Sequence, residues 1–157
     1  MESSLPRWIH ASIANHFNTY RMSLPLFLEE QVREDQELVG EFMELRIDGP
    51  IVRQYSPTQF EITLEINVLL QVVKKPTDMF HVQRQVGVVI AAFHPCIDVR
   101  EYGEGQPDPP TLVGTLVLQT HGRRNMGIVV SNFGQINPTE RLHHVTIEGK
   151  YVMDYRE

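Results

Sequence analysis

The stretch FEITLEINVLLQVV, Phe60 to Val73, constrains this chain more than any other. Apolar side chains stand at every even position from Phe60 to Val72, with Glu61, Thr63, Glu65 and Asn67 between them. A period of two is the period of a strand, because successive side chains leave a pleated backbone on opposite faces. At about fourteen residues the segment is more than twice the usual strand length. Its odd face then turns apolar at Leu69 and Val73. With the even face committed to a core, those two residues point to burial against another subunit.

The even face needs apolar partners, and two segments supply them at helical spacing. Ser3 or Ser4 followed by Pro6 reads as a helix start, and Ile9, Ile13, Phe17 and Tyr20 recur along one face to about Tyr20. After Lys74-Lys75-Pro76, Thr77 is a good N-cap. Met79, Val82, Val86, Ile90 and Phe93 then mark a second helix, from Asp78 to Phe93, that ends at His94-Pro95. Gly87 inside it is a cost of about 1 kcal/mol relative to alanine.

Further strands are predicted around these elements. Leu38 to Ile47 alternates, and Asp48-Gly49-Pro50 signals a turn into a hairpin that returns through Ile51 to Thr58. Leu112 to Gln119 and Gly127 to Phe133 read as two strands joined by a polar turn, with Arg123 and Arg124 at its tip. In LHHVTIEGKYVMDY, Val145, Ile147, Tyr151 and Met153 share a face, the pattern of a half-buried strand. Glu29 to Glu37, with five acidic residues against one Arg, reads as a solvated segment. Tyr102 to Pro110, YGEGQPDPP, is too rich in Gly and Pro for regular structure and reads as a loop. The expected architecture is α+β over residues 1–157: a single, mainly antiparallel sheet with two helices packed on one face, and no domain boundary.

Charge and cysteine usage narrow the function. Twenty acidic residues against fourteen basic ones leave a formal charge of -6, which disfavours sequence-independent grip on phosphates. Cys96 is the only cysteine, so an intrachain disulfide is impossible, as is any zinc site needing two thiolates from one chain. No apolar run approaches eighteen residues, so membrane insertion is not expected.

The chemical motifs are weak. His143 and His144 are adjacent on a predicted strand and point to opposite faces, so they cannot share one ion in regular geometry. His81 and His94 lie roughly 20 Å apart at 1.5 Å per helical residue. Cys96 with a histidine could form a nucleophile and base, but the plainer reading is a small buried side chain following the helix. Gly103-Glu104-Gly105 is acidic and followed by prolines, a poor phosphate cradle. No catalytic, cofactor or metal site is therefore assigned, and a small hydrolase or a monomeric binding domain stands as the alternative outside the structural proteins.

The order of elements, closing on VTIEGKYVMDY, resembles the tail-terminator (tail-completion) proteins of long-tailed bacteriophages. It matches them as an N-terminal helix, an apolar strand, a hairpin, a long alternating strand, a helix and a C-terminal pair of strands. The acidic stretch and the loop at 102–110 set it apart from the smaller members, which keeps a head-tail connector, stopper or tail-tube role open. The resemblance implies a virion protein, assembled in the host cytoplasm, that forms a hexameric ring on the tail tube. Its expected partners are the tail-tube protein and the neck or head-completion proteins, with DNA only passing through the channel. Leu69, Val73, Gly103, Gly105, Arg123 and Arg124 are the expected subunit or partner contacts. Changing Arg123 and Arg124 together to Glu should weaken attachment to a tail or neck partner without unfolding the chain. Reconstitution on purified tails checks this, and unchanged assembly would reject the role.

Overall fold

A computed structural model describes residues 3–20, 24–29, 40–57, 59–73, 75–93, 96–103, 105, 107–118 and 128–131, and the backbone of 132–137 and 140–154. The elements run α1 (Leu5–Tyr20), β1 (Leu26–Leu28), β2 (Phe42–Ser56), β3 (Gln59–Val73), α2 (His81–Ala92), β4 (Cys96–Arg100), β5 (Leu112–Leu118), β6 (Val129–Asn137) and β7 (Glu140–Asp154). They build one α+β domain on a seven-stranded sheet, in the order β1-β2-β3-β7-β5-β4, with β6 also paired to β7. All pairings are antiparallel except that of β1 with β2.

The alternating stretch is β3, near the middle of this sheet. Ile62, Leu64, Ile66, Val68, Leu70 and Val72 are each at most 3% exposed, and each contributes roughly 1.5–3 kcal/mol by leaving water. They join one cluster with Leu5, Ile9, Ile13 and Phe17 of α1 and Val89, Ala92 and Phe93 at the end of α2. In α1 the buried positions Leu5, Trp8, Ile9, Ser12, Ile13 and Phe17 follow helical spacing. The rings of Phe17 and Phe93 meet edge to face at 5.3 Å, locking the two helices together.

The second helix begins later than its sequence suggests. Asp78 spends its carboxylate on a turn, accepting from the Phe80 N–H at 3.1 Å and from Arg84 at 2.8 Å, and α2 starts only at His81. Its core face is accordingly Val82, Val86, Val89 and Phe93, while Met79 and Ile90 are exposed. His81 contacts Glu41, which also accepts from the Val73 N–H at 3.4 Å and from Gln85 at 3.4 Å. One carboxylate thus joins the approach to β2, the end of β3 and the start of α2.

Two expected hairpins are absent from their predicted places. Asp48-Gly49-Pro50 does not reverse the chain; β2 runs through it to Ser56, with a register shift against β3 between Asp48 and Ile51. Gly49 has φ +110, and a β-carbon there would stand 3.2 Å from the Thr63 carbonyl oxygen, so glycine lets β2 bulge without leaving the ladder. Reversal comes instead between Ser56 and Gln59. Nor do β5 and β6 pair with each other. Both are antiparallel to β7 and lie end to end on the same side of it, β5 against Gly149–Tyr151 and β6 against Glu140–Thr146.

The sheet face away from the helices is polar at its centre. Asn67 donates to Asp48 at 2.7 Å and to Glu65 at 3.0 Å, and Arg46 donates to Glu44 at 2.7 Å. Asn67 sits between two carboxylates that face each other across the strands, a juxtaposition otherwise unfavourable.

Ile66→Ala should lower the unfolding free energy by about 2–5 kcal/mol, and Gly49→Ala by about 1–3 kcal/mol through backbone strain. Urea titration checks both; a Gly49→Ala variant as stable as the parent would mean the bulge does not depend on glycine.

Candidate functional site

The most elaborated surface lies along the outer edge of β4. The sequence CIDVR alternates, so Ile97 and Val99 enter the core while Cys96 and Asp98 face outward. Helix α1 is tied to this strand, because the Arg100 N–H donates to Ser12 Oγ at 3.0 Å. Between them runs a cleft of about 370 Å³, lined on the helix by Ser12, His16 and Tyr20 and on the strand by Cys96, Asp98 and Arg100.

Its polar groups mostly hold backbone. His16 Nε2–H donates to the Ala92 carbonyl at 2.8 Å, and Arg100 Nη1 donates to the Pro110 carbonyl at 3.0 Å. Asp98 and Arg100 form an ion pair at 3.5 Å. Cys96 is exposed rather than buried, because strand alternation turns it away from Ile97. His16 shares its cleft but turns Nε2 to a carbonyl, so the arrangement is a polar, strand-edged groove rather than a nucleophile with its base.

The opposite edge of the sheet is apolar. β1 covers β2 only at Met43–Leu45, and beyond that the outer edge of β2 carries Ile51, Val52 and Tyr55, exposed at 58%, 41% and 62%. Val117, Val129 and Val130 are exposed on β5 and β6.

The structure separates the contact residues expected from sequence. Leu69 and Val73 are half-buried on the polar face, at one end of β3, where Leu69 registers with Glu44 of β2 and Val73 with Glu140 of β7. The stronger apolar exposure is at the other end of the same hairpin. Gly103 and Gly105 lie in the loop before β5, and the Arg7 guanidinium lies so close to Gly103 that a side chain there would collide with it. Arg123 and Arg124, like His94 and most of the acidic segment, fall outside the described residues. His143 registers with Leu70 and His144 with Leu69, neighbours on opposite faces of β3. Among the described residues no group of three or more His, Cys, Asp or Glu is placed to hold a metal ion. Among them, too, no helix is long and apolar enough to cross a membrane.

The residues missed by sequence reasoning are those of β4 and the far half of β2. For β4 the signal was the alternation of Cys96 to Arg100, a short run after a proline; Ile51 to Tyr55 reads as a strand, but its two adjacent apolar residues do not say which side is exposed.

A second cleft, of about 610 Å³, lies between α1 and the β1–β2 edge, lined by Arg7, His10, Ala14, Leu28, Glu29 and Ile47 among others. Burial there holds the His10 imidazole below its ordinary pKa.

No family model matches the chain, and no curated protein matches its sequence. One solved structure, whose name describes no activity, aligns over 97% of this chain and 98% of its own, with a TM-score of 0.55 and 12% identity. At that identity the likeness shows the fold alone.

Because the folded state disfavours protonated His10, the unfolded chain binds the extra proton more readily. His10 therefore contributes stability that is complete above pH 6.5 and is lost as pH falls from there through the lower folded value. His10→Leu should flatten the decline in melting temperature as pH falls below 6.5. Thermal unfolding across that range checks it, and an unchanged slope would remove His10 as the cause.

Proposed function

We propose that this protein is a virion structural protein, a ring-forming tail terminator that caps the tail tube of a long-tailed phage and joins it to the neck. The observation that carries the reading is that one subunit presents two unlike sheet edges, apolar on the uncovered half of β2 and polar on β4, where α1 engages the Arg100 end. A head-to-tail ring needs two different surfaces per subunit that close by rotation. An edge strand left open in a monomer is a liability that proteins ordinarily blunt with lysine, proline or a covering segment; past Pro50, β2 carries Ile51, Val52, Arg53, Gln54 and Tyr55 with neither lysine nor proline.

The order of elements supports the same reading. An N-terminal helix, a long central strand, a second helix and a final strand paired to the long one are all in place, with β7 running beside β3 from Gln59 to Val73. The formal charge of -6 suits a channel that DNA crosses without sticking, since like charges weaken phosphate contacts. A connector, stopper or tube component of the neck would use the same two edges and is the second reading.

Light scattering across concentration, followed by negative-stain imaging with and without purified tail tubes, tests the proposal. Rings, formed alone or on adding tubes, are the expected result, with six copies in each. A monomer that stays indifferent to tail tubes would overturn it.

A further inference from the structure

The two outer edges of the sheet match row by row. Four antiparallel pairings separate β4 from β2, through β5, β7 and β3, so β4 and β2 run in the same direction. Followed across the sheet, Cys96 registers with Val117, Val117 with Lys150, Lys150 with Thr63, and Thr63 with Ile51. The next row runs Ile97, Leu116, Tyr151, Ile62, Val52. One residue further, Asp98 stands at one edge, registered with Thr115, and Arg53 at the other, registered with Glu61. Opposite charges thus occupy the two ends of one row, on the face away from the helices.

The edges also match in access. Past the bulge, β2 offers Ile51–Ser56, a stretch that β1 leaves uncovered. β4 offers Cys96–Asp98, beside the cleft shared with α1 and short of the point where Ser12 engages it. The Arg100 N–H, captured by Ser12, marks the outer side of β4, and strand alternation places the Asp98 N–H on that same side.

We infer that the Ile51–Arg53 stretch of one copy adds as a parallel strand to Cys96–Asp98 of the next copy, in the groove beside α1, with Arg53 meeting Asp98 across the joint. This rests on the head-to-tail self-association proposed above and adds to it the strands, their direction and their register. Backbone hydrogen bonds supply the attraction, as in other strand additions to a sheet edge. The charge pair fixes the register of the joint. Ile51 and Val52 lose their exposure in the joint.

The test compares self-association of the full chain, by sedimentation velocity at low ionic strength, for the parent, Arg53→Glu, Asp98→Arg and the double reversal. Both positions are exposed, so circular dichroism should show native folding throughout. Each single reversal should raise the concentration for half-association by about tenfold or more, and the double reversal should restore most of the loss. As a second readout, Ile51→Cys/Cys96→Ser subunits mixed with parent subunits under mild oxidation should form a mixed disulfide between Cys96 and the new thiol. Association that no reversal weakens, or a double reversal no better than the singles, overturns the inference and leaves the ring reading standing. A parent protein that is monomeric with and without tail tubes overturns both.

Discussion

The structure depends on the pairing of β3 with strands on both sides along nearly its whole length while its even face is sealed by two helices. β2 registers with it from Gln59 to Gln71 and β7 from Gln59 to Val73. The backbone groups of β3 are thereby satisfied within the sheet, which is what allows Ile62 to Val72 to be buried without a polar cost. The positions of β2, β7, and through β7 those of β5 and β6, all follow from this one strand.

The length of β3 decides how much of the sheet needs cover. Fifteen strand residues span about 50 Å at roughly 3.3 Å each, whereas the sixteen residues of α1 span about 24 Å. No single helix reaches along the strand, and the core that α1 and α2 share runs from Ile62 to Val72 on its even face. Most of the unusual length of β3 is therefore spent on the core. The exposed apolar side chains Ile51, Val52 and Tyr55 stand instead on the far half of its partner β2. On the proposed reading, that outer edge of β2 carries the side chains that meet a neighbour.

Much of this fold was legible because its governing signals are long and periodic. The alternation of Phe60 to Val73 located β3 within a residue, and Ile9, Ile13 and Phe17 located the buried face of α1. What failed was punctuation. Gly49 and Pro50 carry the residue types of a turn, yet the same positive φ that makes a turn also permits a bulge, and only the ladder with Leu64 and Thr63 decides between them. The polar run after Leu118 suggested a hairpin, but β5 and β6 each found a better partner in β7, a long-range choice invisible in local pattern. β4 was missed because five residues after a proline carry too little period. The candidate site was the least legible part: Leu69 and Val73 drew attention as apolar residues on a second face, while the more exposed apolar arm lay in the stretch read as a hairpin return.

Amide hydrogen exchange measured at low and at high protein concentration tests the central claim most directly, since it reads the two sheet edges separately from the core. The account predicts that protection of Ile51–Arg53 and of Cys96–Asp98 rises together with concentration, while Ile62–Val72 is protected throughout. Edge amides that exchange equally fast at both concentrations, in a sample shown to be associated, would contradict it.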